Sequence, residues 1–191
     1  MKNQLIKLSV AGGFAVLLAA LLSGCKTCKQ GQPGKPIKYS IEVALDESLK
    51  DSSVIVDLVG VNSFDLPKWE SYDMSRATGY WKPGDPRKPD VPGDPMRRDA
   101  DKWTLNFVSG QELTQTMSIT NALWGKWITS KTHVMVLADL PGAPPSRPGT
   151  QDARRQELPL GECFWPDKTK VLRVKVKRSG IEVLTQARTV R

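Results

Sequence analysis

The chain has 191 residues, a formal net charge of +8, one histidine and three cysteines. This length suits a single domain rather than several. The cysteines fit neither a metal site nor a redox motif, and no regular oxygen-ligand loop occurs. We therefore expect no cofactor and no bound metal.

Residues 1–24 have the layout of a secretory signal peptide. Lys2 and Lys7 are the only charged side chains in this stretch, and residues 8–22 are uncharged. A basic start, a short apolar core and a small-residue end are typical of such peptides. The apolar run is too short to cross a hydrocarbon core of about 30 Å comfortably as a permanent helix. The alternatives are an ordinary signal peptide without lipidation and a single anchor helix.

The end of this segment, Leu22-Ser23-Gly24-Cys25, resembles a bacterial lipobox. The resemblance implies cleavage between Gly24 and Cys25 and attachment of diacylglycerol to the Cys25 thiol. Several acyl chains hold a protein firmly, because each buried methylene contributes about 0.8 kcal/mol. Lys26, not an aspartate, follows the cysteine, which by the same resemblance implies the outer membrane, facing the periplasm. The lipid bilayer, contacted through acylated Cys25, is thus one expected partner.

Two cysteines remain once Cys25 carries lipid. An exported protein meets oxidising conditions, under which Cys28 and Cys163 can form a disulfide. The alternative is two free or separately used thiols, because the sequence does not place their Cα atoms within about 7 Å. Residues 25–36 are rich in lysine, glutamine, glycine and proline, and we predict that they form a lipidated flexible tether. A single β-sandwich domain then spans residues 37–191.

The rest of the chain is dominated by patterns typical of strands. Strands are predicted at 37–45, 54–61, 103–108, 113–119 and 132–138, with a terminal hairpin at 169–184. The nearly continuous apolar run at 54–61 predicts a central strand buried on both faces, or nearly so. We expect 103–108 and 113–119 to pair as a hairpin, and the lysines of the terminal hairpin to protect an edge strand. Short helices are predicted at 65–74 and 121–129. Together these elements predict a mainly β fold, an antiparallel β-sandwich of the transthyretin or immunoglobulin type, with two short helices and long Pro/Gly-rich loops.

Two polar residues interrupt predicted strands. Asp57 is expected to be hydrogen-bonded and structural, because an isolated buried carboxylate is costly. His133 would need an acid and a hydroxyl in one pocket to act in catalysis, and in an apolar strand we interpret it as structural or surface-exposed. No Gly-x-Ser-x-Gly, His-Glu-x-x-His or glycine-rich phosphate motif occurs. We therefore predict that the protein is not an enzyme.

The segment 81–102 is predicted to be an exposed loop. It repeats the turn signal Pro-Gly-Asp-Pro at residues 83–86 and 92–95. Loops of this length without structure of their own are often functional. We predict contact with a partner protein through Trp81, Lys82, Asp85, Arg87, Asp94, Arg97 and Arg98. The alternatives are a solvated loop and a weak calcium site on its aspartates, which the interleaved basic residues oppose.

The order of these elements resembles the outer-membrane lipoprotein family of type VI secretion systems, TssJ or VasD. That family combines a lipobox, a tether, two opening strands, an aromatic helix with a long loop, and a basic C-terminal hairpin. The resemblance implies a transthyretin-like sandwich, no catalysis, and a loop that holds the periplasmic end of an inner-membrane partner. The sequence departs from that pattern in its repeated Pro-Gly-Asp-Pro and in the helix containing Trp124 and Trp127.

These features predict a membrane-anchored, periplasm-facing lipoprotein that serves as a structural component of an envelope complex, and the family resemblance implies that the complex belongs to type VI secretion. Its protein partner is expected to be another envelope protein. An exported, tethered protein has little access to nucleic acid, so no nucleic-acid partner is expected. The alternative is a lipoprotein of another family that binds a ligand or carbohydrate through exposed Tyr80, Trp81 and Trp103. An aromatic cleft of several hundred cubic ångströms would favour that alternative.

Overall fold

The computed structural model describes residues 33–83, 102–142, 152–166 and 169–188. The first four strands are β1 (Ser40–Leu45), β2 (Val54–Val61), β3 (Lys102–Phe107) and β4 (Thr114–Met117). The other four are β5 (His133–Ala138), β6 (Arg155–Pro159), β7 (Val171–Lys177) and β8 (Gly180–Val183). The helices are α1 (Leu66–Ser71) and α2 (Leu123–Ser130), and a short 3-10 helix covers Glu47–Leu49.

The described strands form two four-stranded sheets that pack as a sandwich. One sheet has the order β4-β1-β7-β8, and the other has the order β3-β2-β5-β6. Neighbouring strands are antiparallel except β1 and β7, which run parallel. The predicted mainly β sandwich with two short helices is confirmed, and its sheets are largely rather than wholly antiparallel.

The main core lies between the two sheets. Strand β1 alternates buried and half-buried residues, with Ile41, Val43 and Leu45 facing the core, as the alternation of its sequence predicts. Each such side chain contributes about 1.5–3 kcal/mol when it is fully buried. Helix α2 closes the core with Trp124 and Trp127, whose rings meet edge to face at 5.2 Å. The helix that departs from the resemblance is therefore part of the main core.

The sheet β3-β2-β5-β6 is also covered on its outer face. Seven of the eight residues of β2 are buried, which confirms a central strand buried on nearly all sides. Helix α1 and the chain that follows it cover this face. The resulting second cluster contains Val59, Val61, Met74, Tyr80, Trp81, Met135 and Leu137.

The predicted hairpin between residues 103–108 and 113–119 is wrong. Strand β3 pairs with β2, whereas β4 pairs with β1 in the other sheet. The chain between them therefore crosses from one sheet to the other. A side-chain hydrogen bond links the two edges, because Nε2 of Gln115 donates to the carbonyl of Asn106 at 2.7 Å.

The predicted terminal hairpin is confirmed as β7 and β8. Strand β7, however, lies between β1 and β8, so its basic residues do not protect a sheet edge. They form ion pairs on the outer face: Arg173 with Glu42 at 3.1 Å, Lys175 with Asp46 at 2.9 Å, and Lys177 with Glu182. This basic face is consistent with an ordinary solvated sheet surface.

The two ends of the sandwich differ in what they carry. Strands β2, β4, β6 and β8 finish at one end, where β1, β3, β5 and β7 begin. A hydrogen bond of 3.0 Å from the Ile37 amide to the Leu160 carbonyl joins the two sheets there. We call this the tether end, because the described chain begins there at Pro33. The opposite end is the far end.

Candidate functional site

The chain enters the domain through a backbone junction. The Cys163 amide donates to the carbonyl of Pro33 at 3.2 Å, and the Glu162 amide donates to the carbonyl of Lys35 at 2.9 Å. Pro36 and Gly161 form an isolated antiparallel bridge. Residues 33–36, predicted as the last part of a flexible tether, are thus held against the segment that follows β6.

Two glycines allow this close approach. A Cβ atom added to Gly161 would lie 1.9 Å from the Pro33 carbonyl oxygen, which no side chain tolerates. Gly34 has a φ of 71°, and an added Cβ would lie 2.9 Å from Sγ of Cys163. The left-handed region is accessible to glycine at little cost. Glycine at both positions therefore brings the N-terminal segment directly against Cys163.

Cys163 is disulfide-bonded. The other two cysteines of the sequence, Cys25 and Cys28, lie outside the described residues, as does Gly24. The predicted cleavage and lipidation sites are therefore not among the residues that the structure describes. Within the described ranges, no helix has both the length and the apolar character needed to span a membrane.

The start of the predicted partner-contact loop is buried rather than exposed. Trp81 is 4% exposed, and its ring packs edge to face against Tyr80 at 5.0 Å. Tyr80 in turn contacts the ring of Trp69 at 5.9 Å. Trp81 thus fixes the base of the loop against the sheet and is not accessible to a partner, contrary to prediction. Lys82 is exposed, and the other five predicted contact residues, Asp85, Arg87, Asp94, Arg97 and Arg98, lie outside the described residues, as do the aspartates of the calcium alternative.

A buried carboxylate lies beneath this base. Asp57 is 1% exposed and accepts hydrogen bonds from the Tyr80 hydroxyl at 2.7 Å and the Thr104 hydroxyl at 2.6 Å. Nζ of Lys102 lies 3.7 Å from the same carboxylate. A buried acid with this number of donors is stable in its place. The prediction that Asp57 is hydrogen-bonded and structural is confirmed.

The aromatic surface predicted for ligand binding is not present as predicted. Tyr80 and Trp81 are both buried. Trp103 lies on the same side of the edge strand β3 as buried Leu105 and Phe107, but it is 38% exposed. Tyr80 and Trp81 are therefore inaccessible to a ligand, and only Trp103 of the three is exposed.

A different aromatic groove lies between β6 and the chain that follows β8. Its volume is about 460 Å³. The residues that line it are Gln156, Glu157, Pro159, Phe164, Trp165, Val183, Thr185, Gln186 and Ala187. Phe164 is exposed and meets the buried Trp165 at 5.2 Å. Sequence reasoning missed this groove, although two adjacent aromatic residues directly after Cys163 were a signal for it.

His133 contacts both a hydroxyl and an acid. Its Nδ1 lies 2.8 Å from Oγ1 of Thr132, and its Nε2 lies 3.0 Å from Oε1 of Glu157. Burial lowers the pKa of His133 below its usual value, although the charge of Glu70 acts in the opposite direction. Burial, followed by the charge of Glu70, raises the pKa of Glu157.

This contact does not form an active-site pocket. Glu157 lines the groove described above, but neither His133 nor Thr132 does so. We interpret the three side chains as a hydrogen-bonded link between β5 and β6. Among the described residues, no group of three or more histidine, cysteine or acidic side chains is placed to hold a metal ion.

No protein-family model matches the sequence, and no curated protein matches it. The fold is similar to solved structures of type VI secretion proteins. Lip of Serratia marcescens, a membrane-bound component of that system, is 14% identical over 78% of this chain and 97% of its own, with a TM-score of 0.44. A chain of a type VI membrane complex is also 14% identical, over 78% of this chain and 98% of its own, with a TM-score of 0.44. The type VI lipoprotein TssJ1 from Pseudomonas aeruginosa is 12% identical over 82% of this chain and 99% of its own, with a TM-score of 0.39.

Proposed function

We propose that the protein is a lipoprotein anchored through acylated Cys25 to the outer membrane, where it faces the periplasm and serves as an anchoring component of an envelope complex. The observation that carries this proposal is the junction at Pro33 and Cys163. It fixes the folded body to the chain only eight positions after Cys25. A load on the anchor therefore passes directly into the sandwich.

A disulfide between Cys28 and Cys163 strengthens this attachment in our proposal. Cys163 is disulfide-bonded, and Cys28 remains available when Cys25 carries lipid. Five positions separate Cys28 from Pro33, whose carbonyl already accepts a hydrogen bond from the Cys163 amide. A bridge would leave three positions between the lipid site and the folded domain.

The partner in this proposal is another envelope protein, within a type VI secretion complex. The loop between Lys82 and Lys102 is its contact element. The loop leaves the sheet from a base fixed by buried Trp81 and by the bond from Tyr80 to Asp57. A fixed base lowers the entropic cost of ordering a loop when a partner binds.

Metabolic labelling with a fatty acid tests the anchor. We expect the wild type and Cys28→Ser to incorporate label and to fractionate with membranes. Cys25→Ser should incorporate none and should leave the membrane fraction. Incorporation of equal label by Cys25→Ser would contradict the lipid anchor.

Affinity purification of the lipidated protein tests the loop. A variant with charge reversals at Asp85, Arg87, Arg97 and Arg98 should lose the co-purifying envelope protein. The matched control reverses Lys50 and Asp51, which are exposed in the connection between β1 and β2. An unchanged set of partners in the loop variant would remove the loop from the proposal.

The groove beside Phe164 supports a second candidate, a ligand-binding lipoprotein. An aromatic cleft of several hundred cubic ångströms was expected to favour this candidate. The groove has that size and is lined by Phe164 and Trp165 instead of the aromatic residues predicted from the sequence. A hydrophobic fluorescent dye such as ANS should bind there, and Ala187→Trp should compete by filling the groove. Equal dye binding by the two proteins would argue against this candidate.

A further inference from the structure

Exposed hydrophobic residues are concentrated at the tether end. Seven large hydrophobic side chains are exposed in the described part of the chain. Four of them lie within five residues of the end of a strand that finishes at the tether end: Phe64 after β2, Ile119 after β4, Phe164 after β6 and Leu184 after β8. Phe64 is 89% exposed, which is extreme for a phenylalanine in a soluble protein.

The two ends also differ in charge. Residues 72–83 cover the outer face of one sheet and reach Asp139 at the far end through Arg76, so they belong to neither end. The other described connecting segments at the tether end, with α1 and α2, carry seven basic residues, Lys35, Lys38, Lys68, Lys126, Lys131, Lys170 and Arg188, and three acidic ones, Asp65, Glu70 and Glu162. The described connections at the far end carry six acidic residues, Asp46, Glu47, Asp51, Glu112, Asp139 and Asp152, and three basic ones, Lys50, Arg154 and Arg178. A negatively charged surface therefore attracts the tether end and repels the far end.

The tether is too short to keep this end far from a bilayer. An extended chain spans at most about 3.6 Å per residue, so the eight positions from Cys25 to Pro33 reach no more than about 29 Å. With Cys163 bridged to Cys28, three positions remain, and the reach falls to about 11 Å.

We propose that the tether end of the sandwich rests on the headgroup layer of an anionic phospholipid bilayer. Phe64, Ile119, Phe164 and Leu184 enter the interface, while the surrounding lysines lie against the phosphates. This inference rests on the lipid anchor of the proposed function and adds an orientation to it. The far end then points away from the membrane, with its acidic connections in the aqueous phase.

The chemistry of the surface fits this occupant. Aromatic and aliphatic side chains at a membrane interface remove apolar area from water, and lysines around them keep their ammonium groups among the headgroups. Each basic residue close to an anionic surface strengthens partitioning roughly fivefold. The electrostatic part of this preference for one orientation therefore weakens when salt is added or anionic lipid is removed.

Photo-crosslinking of the full lipidated protein in vesicles tests the orientation. The vesicles contain phosphatidylethanolamine, with or without phosphatidylglycerol, and a photoactivatable phospholipid. We expect labelled peptides to contain residues 62–65, 118–122, 160–166 and 184–188, with stronger labelling when phosphatidylglycerol is present. Phe64→Ser combined with Phe164→Ser should lower the yield at these peptides at least about tenfold, the factor that corresponds to lost burial of one phenylalanine side chain.

The matched control is Ile55→Ser combined with Val108→Ser, which removes two exposed apolar residues near the far end. It should leave the labelling pattern unchanged. Equal labelling of residues 46–53 and 108–112 would overturn the proposed orientation. Fatty-acid incorporation is measured on the same samples: absence of label contradicts the lipid anchor, whereas labelled protein with no preferred end contradicts only the orientation.

Discussion

The hydroxyl of Tyr80 donates a 2.7 Å hydrogen bond to Oδ2 of Asp57, a carboxylate buried in the middle of β2. The two residues are 23 positions apart, and the bond attaches the chain before the long loop to the central strand of a sheet. Hydrogen bonds to a buried charge contribute more than neutral ones, because the charge has no water to replace a lost donor.

Tyr80→Phe is therefore expected to lower the free energy of unfolding by about 1.5–3 kcal/mol. Denaturant unfolding followed by tryptophan fluorescence measures this change. Tyr39→Phe is the matched control, because Tyr39 is equally buried but its hydroxyl makes only a long bond of 3.5 Å to the Gly161 carbonyl. A loss as large for Tyr39→Phe would show that the Asp57 bond is not the source of the effect.

Gly161→Ala is expected to detach the N-terminal segment from the domain. The new Cβ would lie 1.9 Å from the Pro33 carbonyl oxygen, so the backbone of one segment must move. Hydrogen exchange at the amides of Glu162 and Cys163 should accelerate, while exchange in β2 and β5 should stay slow.

Gly125→Ala is the control for that substitution. Gly125 lies in α2 with nothing within 4 Å of an added Cβ, and alanine is favoured over glycine in a helix by about 1 kcal/mol. We expect this variant to be more stable than the wild type. Unchanged exchange at the junction of Gly161→Ala would mean that the Pro33 contact is not required there.

The ion pair between Lys175 and Asp46 is expected to be visible in a carboxylate titration. The hydrogen bond from Lys175 is the largest cause that holds the pKa of Asp46 well below its usual value of 3.8. Since the folded pKa is the lower one, the pair stabilises the fold above pH 3.8, and this contribution is lost as the pH falls towards the folded pKa. In Lys175→Gln, NMR should show Asp46 titrating closer to 3.8. Lys177→Gln, the control, should leave the pKa of Asp46 unchanged.

His133 is expected to make the fold less stable in mild acid. Its folded pKa lies below 6.5, so the unfolded chain binds the proton first and the free energy of unfolding falls as the pH drops below 6.5. The slope is at most about 1.4 kcal/mol per pH unit for one proton. Over a pH series, the free energy of unfolding of the wild type should therefore fall relative to that of His133→Gln as the pH drops below 6.5.

Glu157→Gln provides the contrast, because the pKa of Glu157 is raised. The contribution of that carboxyl is fully present below pH 4.5 and declines as the pH rises through its folded pKa. Removing Glu157 should therefore flatten the pH dependence above 4.5. An identical pH profile for His133→Gln and the wild type would contradict the assignment to His133.

Sequence periodicity predicted the described strands other than β6, because each of them has an apolar side that must face a core. It missed β6 (Arg155–Pro159), whose five residues include only one of Leu, Ile, Val or an aromatic. It could not assign strands to sheets. The side facing the core in β3 and β4 looks the same whether the two strands pair with each other or with β2 and β1. The parallel pairing of β1 with β7 joins strands from opposite ends of the domain, and no local pattern encodes such a contact.

Part of the candidate site could be predicted from the sequence. Burial of both faces of β2 was predicted, and a sheet buried on both faces requires a cover for its outer side. The aromatic residues Trp69, Tyr80 and Trp81 are that cover. For Tyr80 and Trp81, the position beside a proline-rich loop favoured an exposed interpretation instead. The docking of Pro33 on Cys163 escaped prediction because a segment of glycine, proline and lysine has no apolar side chain to signal it.

The parallel pairing of β1 and β7 has a mechanical consequence. A pull that reaches the domain through Pro33 is transmitted to β1, which is hydrogen-bonded to β4 on one side and to β7 on the other. Sliding β1 out along its axis requires two rows of hydrogen bonds to shear at once, whereas an edge strand has only one such row. The strand nearest the N-terminal segment is thus an interior strand, better placed to resist tension than the edge strands β4 and β8.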